Sequence, residues 1–322
     1  MSTSNPQSGI FALGTTSHTY LEFDLRRGAN GGDLVRAAAS LREPRTTMGG
    51  VNLVVGFRPE LWRAIAPDLA ATDLTGFHDE IRGVGGYVMP ATQRDAVVWL
   101  SGSAYDVVFD TAKGVMTALD GFATVATETT SWPYQHDRDL TGFIDGSENP
   151  SLIDAPEIAL FSDDSPCSGG SVLLLQQWVH DREAWEALSV GDQEAVMGRT
   201  KADSVELEDR SAHSHVGSTD QDRFGKIFRR NMPFGSVTSH GTMFVGFSAE
   251  QRRLSAMLES MAGVHDGVRD DLTRYARPVT GAYYFVPSTT SLRRYSVDSI
   301  TDDATLLPHP SGPTARDQIA DL

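Results

Sequence analysis

The chain has 322 residues, enough for two domains of ordinary size and a sizeable core. Its formal net charge of −16 argues against a general nucleic-acid binder, because neutralising phosphates needs clustered Lys and Arg. The one cysteine, Cys167, excludes an intramolecular disulfide and a thiolate metal cluster, and no apolar run is long enough to span a bilayer.

Met1 to Gly9 is polar, with neither a basic stretch nor the apolar core of a secretory leader, and there is no twin-arginine signal. The expectation is a soluble, cytoplasmic protein. In chain order, His18 to Leu25 alternates like a strand, Gly32 to Leu41 has helical spacing, and Val51 to Phe57 is an apolar strand. Ala96 to Ser101 reads as a strand, Ala104 to Leu119 as an amphipathic helix, and Phe122 to Thr130 alternates again. The second half repeats the theme. Ser171 to Val179 is strand-like, Asp181 to Leu188 helical with Asp181 as N-cap, Thr242 to Phe247 strand-like, Ala249 to Ala262 helical, and Gly281 to Val286 a closing strand. Strand, helix, two strands, helix, strand in each half predicts an α+β chain of two ferredoxin-like domains with antiparallel sheets. The predicted divisions are 1–135, a connecting segment 136–170, 171–298 and a flexible tail 299–322, which is rich in proline and poor in large apolar residues.

Within the connecting segment stands Gly142-Phe143-Ile144-Asp145-Gly146, followed by Ser147-Glu148-Asn149-Pro150. Glycines allow positive φ and Pro150 fixes the exit, so Asp145 is held at one point as a candidate acid or base. Taken alone, such a loop reads more readily as a surface turn. A second segment changes the balance. Ser214-His215-Val216 offers a metal-binding imidazole, and Lys226 to Gly235 includes Arg229-Arg230-Asn231-Met232-Pro233-Phe234. At period 2, Arg229 and Asn231 share a face and Arg230 takes the other.

Together these segments resemble the dye-decolourising peroxidases, with Asn-Met-Pro-Phe-Gly pointing to the bacterial B-type branch. The agreement also covers Val196 to Lys201 and Pro278 to Pro287. The resemblance implies the same duplicated, barrel-like α+β architecture and one haem b per subunit, its iron ligated by His215. Of the nine histidines, His213 is the alternative ligand, but it lacks the Ser-His-Val context. The family also implies a carboxylate behind the ligand. Asp270 is the best match, with Asp266 and Asp271 nearby. Ile144, Gly146, Ser147 and Arg229 are the implied cofactor contacts, and Asp145, Arg229 and Asn231 the implied catalytic group.

In residue terms, peroxide must lose one proton and regain it on the departing oxygen, which Asp145 suits if ionised. Arg229 stabilises the carboxylate and the developing charge, and Asn231 positions water or peroxide. An acidic rate optimum follows, and a maximum above about pH 8 would count against Asp145 as the base. The expected partners are hydrogen peroxide and a small reductant such as a dye or phenol, with no nucleic acid and no membrane. A homo-oligomer is implied. Some relatives dock in a protein shell through their tails, but no Gly-Ser-Leu-type docking sequence stands in this tail. Tyr283, Tyr284, Trp178 and Trp185 are candidate electron relays, though aromatics at such spacing are core by default. The competing readings are a haem-handling protein without physiological turnover and a non-catalytic α+β assembly protein.

Overall fold

Several strands of this chain are buried on both faces, and the fold shows why. The computed structural model describes residues 4–46 and 49–296. Strands β1 (Ser17–Leu25), β2 (Gly49–Phe57), β3 (Ala96–Gly102) and β4 (Ala123–Ser131) come from the first half. From the second come β5 (Ser171–His180), β6 (Met232–Gly235), β7 (His240–Ser248) and β8 (Ala282–Val286). All pairings are antiparallel, and they run in a ring, β1-β3-β2-β8-β5-β7-β6-β4 and back to β1. The result is a closed barrel. Long ladders hold each half together, whereas the seams rest on single pairs, Phe57 with Phe285 and Ser131 with Phe234.

Side chains alternate between the barrel interior and the layer beneath the helices. Tyr20, Val97, Trp99, Leu173, Leu175, Phe247 and Tyr284 share the inner cluster, and Leu21, Phe23, Val98, Leu100, Leu174 and Phe285 the outer one. Burial on both faces replaces the apolar-polar alternation of a half-exposed sheet with continuous apolar runs. Helices α1 (Gly31–Ala39), α2 (Pro59–Ile65) and α3 (Tyr105–Leu119) belong to the first half. The second contributes α4 (Arg182–Glu186), α5 (Val190–Met197), α6 (His215–Ser218) and α7 (Gln251–Met261). Asn30 caps α1 by accepting from the Gly32 N–H at 2.8 Å, and Asp181 caps α4 by accepting from Ala184 at 3.1 Å. The helix expected from Asp181 to Leu188 is thus present but shorter, and α2 and α5 are additions that periodicity did not reveal. Tyr283, Tyr284, Trp178 and Trp185 are all buried, as core aromatics are. The tail predicted for 299–322 lies outside the described residues.

One polar group inside the barrel makes stability depend on pH. The Tyr284 hydroxyl donates to Glu22 Oε1 at 2.6 Å, and burial pushes the Glu22 carboxyl up to about 7. The unfolded carboxyl titrates at 4.5, so the folded chain binds the extra proton between these values and stability falls as pH rises through that window. The full loss is about 3 kcal/mol. Glu22→Gln keeps an acceptor for Tyr284 and removes the titration, so its thermal midpoint should change less than that of wild type between about pH 5 and pH 8. Equal changes in the two proteins would exclude Glu22 as the source.

Candidate active site

Asp145 is held by a loop whose shape is set locally. Gly142 and Gly146 both have positive φ, +87° and +82°, where a Cβ is strained, and a Cβ on Gly142 would lie 2.7 Å from Lys201 Cε. The Asp145 N–H donates to Asp137 O at 2.7 Å, and from below Trp185 Nε1 donates to Thr141 O at 3.0 Å while its ring packs edge-on against Phe143. Asn149 ties this loop to the strand segment carrying Arg229. Its Nδ2 donates to Arg229 O at 2.8 Å and its Oδ1 accepts from Arg229 N at 2.9 Å. The two segments, 80 residues apart in sequence, are therefore stapled at their backbones.

The alternation expected around Arg230 is what the strand adopts. Arg229 and Asn231 line a cavity, and Arg230 turns the other way into the barrel. There its guanidinium donates to the carbonyls of Gly9, Ile10 and Ala12 and lies 5.0 Å from the Trp99 ring. Asn231 Oδ1 accepts from Val245 N at 3.0 Å, and its Nδ2 reaches Asp145 Oδ1 at 3.4 Å. Arg229 Nε is buried and has no protein partner.

On α6, His215 follows the capping residue Ser214, whose hydroxyl accepts from Gly217 N at 3.3 Å. His215 Nδ1 meets Asp270 Oδ2 at 2.8 Å, and the Asp270 side chain is wholly buried, its Oδ1 accepting from Leu272 N at 2.8 Å. A buried carboxylate fixes the ring orientation and leaves Nε2 as the free nitrogen. Asp271 instead pairs with Arg274 at 3.1 Å, and Asp266 accepts from Val268 N. His215 lines the cavity, whereas His213 is not among the lining residues.

The cavity has a volume of about 440 Å³ and is bounded by Asp145, Arg229, Asn231 and His215, with Ile144 and Ser147 also in its wall. Gly146 shapes the loop, and Asp270 stands behind His215. Apolar walls come from Leu174 on β5, Phe244 on β7, and Leu254, Met257 and Leu258 on α7. Gln176 Nε2, like Arg229 Nε, is buried there with no protein partner. A flat, apolar cofactor with acidic edges fits such a lining, because it covers the aliphatic walls and supplies acceptors for the orphaned donors. No group of three or more His, Cys, Asp or Glu among the described residues is arranged to hold a metal ion, so an iron at His215 needs a cofactor that brings the other donors.

Sequence reasoning missed two contributors. Asn149 stood in the quoted loop but read only as a turn residue. Asp139, earlier in the same segment, lines the cavity, accepts from the Thr141 N–H at 2.8 Å, and is pushed up to about 6 by burial and by the charge of Asp145. Its signal is its position before Thr141-Gly142, where an Asx turn is favourable. Asn149→Ala should leave two backbone groups of Arg229 unpaired, costing roughly 2 kcal/mol or more in denaturant unfolding. It should also slow the reaction with peroxide more than it weakens cofactor binding. A variant with wild-type unfolding and peroxide kinetics would show that the staple does not position the site.

Barrel and cavity bring an imidazole and a carboxylate-arginine group to one pocket. Residues 136–291 match the family described as Dyp-type peroxidase, C-terminal. A dye-decolorizing peroxidase of Mycolicibacterium paratuberculosis is 34% identical over 292 residues, covering 88% of this chain and 78% of that protein. A DypB variant from Rhodococcus jostii RHA1, solved in complex with heme, superposes with a TM-score of 0.79 at 30% identity, covering 89% of this chain and 97% of that one. The encapsulated DyP-type peroxidase of Mycobacterium smegmatis, solved by cryo-EM, gives a TM-score of 0.78 at 30% identity over 90% and 97% of the two chains. The chain belongs to the dye-decolourising peroxidases. It is a peroxidase, acting on hydrogen peroxide with a reductant as co-substrate.

Proposed function

We propose that the cofactor is haem b, one per subunit, that His215 Nε2 would hold its iron with Asp270 orienting the ring, and that Asp145, Arg229 and Asn231 handle peroxide in the same cavity. The observation that carries this reading is the His215–Asp270 bond, which leaves Nε2 as the nitrogen without a protein partner in a cavity also lined by the other three. Haem, when bound, supplies the iron at which peroxide is reduced. Asp145 takes the proton of the entering peroxide and returns it to the departing oxygen, which leaves as water. Arg229, its Nε unmatched by any protein acceptor, offers a donor to the charge that builds as the oxygens separate, or to a haem carboxylate. Asn231 holds its amide in place through Val245 N and presents Nδ2 beside Asp145. Protonation of Asp139 below about pH 6 removes a like charge from the neighbourhood of Asp145, which favours an acidic optimum.

We also read the chain as two ferredoxin-like units, 1–135 and 171–298, joined by 136–170. In both halves the strand order is fourth, first, third, second, and the family match begins at residue 136. Likeness to DypB supports the B-type branch. Self-association is supported by Tyr105, Val107, Phe109 and Met116, large apolar residues exposed along α3, and sedimentation of the holoenzyme as a monomer would contradict it. No helix among the described residues is long and apolar enough to cross a membrane, which accords with the cytoplasmic location we propose.

The test is to titrate purified protein with haem, follow the Soret band, and then add hydrogen peroxide with a colourless donor. Binding at one equivalent with catalytic donor oxidation is expected. Stoichiometric binding without turnover would move the reading to haem handling.

A further inference from the structure

A second recess lies on the other side of α7 from the cofactor cavity. It is an open cleft of about 980 Å³ between residues 73–81 and the helix. Gln251 sets its width, accepting from Thr75 N at 3.0 Å and donating to Thr75 O at 2.7 Å. The floor is aromatic, with Phe77 stacked on Tyr283 at 5.2 Å between ring centroids. Tyr283 is only 5% exposed, and its hydroxyl has no hydrogen-bond partner in the protein. Buried phenol hydroxyls are ordinarily paired, so this one is an unmatched donor and acceptor in the wall of the cleft.

The charge of the cleft is mainly negative, and His78 in its wall is paired with Glu60 at 3.0 Å. Its two arginines are already satisfied, Arg252 by Glu259 at 2.9 Å and Arg253 by Glu250. Asp73, Asp79 and Glu157 also line it, and none of these carboxylates has an ion-pair or side-chain hydrogen-bond partner among the described residues. An aromatic floor under an acidic rim suits a ring that carries a cation.

The location matters as much as the chemistry. Tyr283 on β8 is the register partner of Leu174 on β5, and Leu174 lines the cofactor cavity. Such cross-strand neighbours stand about 5 Å apart. Along α7, Leu254, Met257 and Leu258 line the cavity, while Gln251, Ser255 and Glu259 line the cleft. One layer of side chains separates the two spaces.

We infer that this cleft is a second binding site for small aromatic donors bearing a positive charge, the ring resting on Phe77 and Tyr283 and the cation among Asp73, Asp79 and Glu157. The inference rests on the peroxidase reading and adds to it the class of reductant and the place where it is held. Each phenolic donor gives up one electron across the side-chain layer and one proton to water. Two donors thus supply the two electrons and two protons with which one hydrogen peroxide becomes two waters.

Tyramine, a phenol with an ammonium group, and para-hydroxyphenylacetate, a similar ring with a carboxylate, are the probes. Holoenzyme turnover is measured with both, and tyramine binding is measured by calorimetry without peroxide. In the double variant Asp79→Asn/Glu157→Gln, KM and Kd for tyramine should rise roughly threefold to tenfold, the effect of losing one or two partly solvated charge contacts. Its kcat and its kinetics with para-hydroxyphenylacetate should stay unchanged. Tyr283→Phe should weaken tyramine binding without moving the Soret band. Wild-type tyramine constants in the double variant, or equal losses for both phenols, overturn the inference. If wild type oxidises another donor but neither phenol while calorimetry still shows charge-dependent tyramine binding, the cleft binds the cation without holding a reductant and the inference is overturned; if it oxidises no donor at all, the peroxidase reading fails instead.

Discussion

His215→Ala should abolish stoichiometric haem binding, with the Soret band lost or shifted, whereas His213→Ala should keep both band and turnover. The reason is geometric. The imidazole of His215 has one nitrogen fixed by a buried carboxylate and belongs to the cavity wall, whereas the backbone carbonyl of His213 is what Asp271 N–H bonds, at 2.9 Å. Asp270→Asn is the finer probe. It preserves size and an oxygen for the Leu272 N–H but removes the charge that makes the ring a strong donor to metal. Loss of such a partner ordinarily lowers metal affinity or activity by about tenfold to a hundredfold. A haem complex of His215→Ala with wild-type spectrum and affinity would remove this residue from the iron, and the cavity would need another ligand.

The second large effect is expected at the carboxylate-arginine group. Asp145→Asn should retain haem yet react with hydrogen peroxide roughly 10²–10⁴-fold more slowly, the range that a positioned acid-base group contributes. Arg229→Leu removes a donor rather than a proton carrier and should cost about 10²–10³-fold. Because Asn231 bonds Asp145 and Asn149 bonds the Arg229 backbone, the residues act as a unit. The double variant should therefore lose far less than the product of the single losses. Stopped-flow mixing of each holoenzyme with peroxide measures these rates directly. Should Asp145→Asn react at the wild-type rate while Arg229→Leu does not, the arginine is the principal group and the carboxylate is dispensable.

Several of these features follow from short stretches of chain. The Asp145 loop is built by Gly142 and Gly146 at positive φ, a property of the two residues themselves. Asp181 caps its helix through a bond three residues away. The opposite directions of Arg229 and Arg230 follow from the pleat, and the segments expected as strands at Ala96 to Ser101 and Ser171 to Val179 needed only their β-branched and apolar content. The family resemblance likewise rested on contiguous motifs.

Other features depend on distance in sequence. Asp270 could be ranked above Asp266 and Asp271 only weakly, because all three are equally plausible neighbours in one dimension. Their difference appears when α6 brings His215 within 2.8 Å of one of them, 55 residues on. Asn149 looked like a turn residue because its two bonds lead to a strand 80 residues away. Asp139 owes its raised ionisation to burial and to the charge of Asp145, neither of which composition reports. By itself, then, the sequence determined most of the long strands, the cap that starts the Asp181 helix, the loop holding Asp145 and the family, since each is written in local conformational preference or contiguous pattern. The closing of the barrel through two single-pair seams, the choice of Asp270 and the unpartnered Tyr283 beside a second cleft were decided only by the tertiary structure. They arise from contacts between distant segments, whose partners are selected by packing and burial after the local elements have formed.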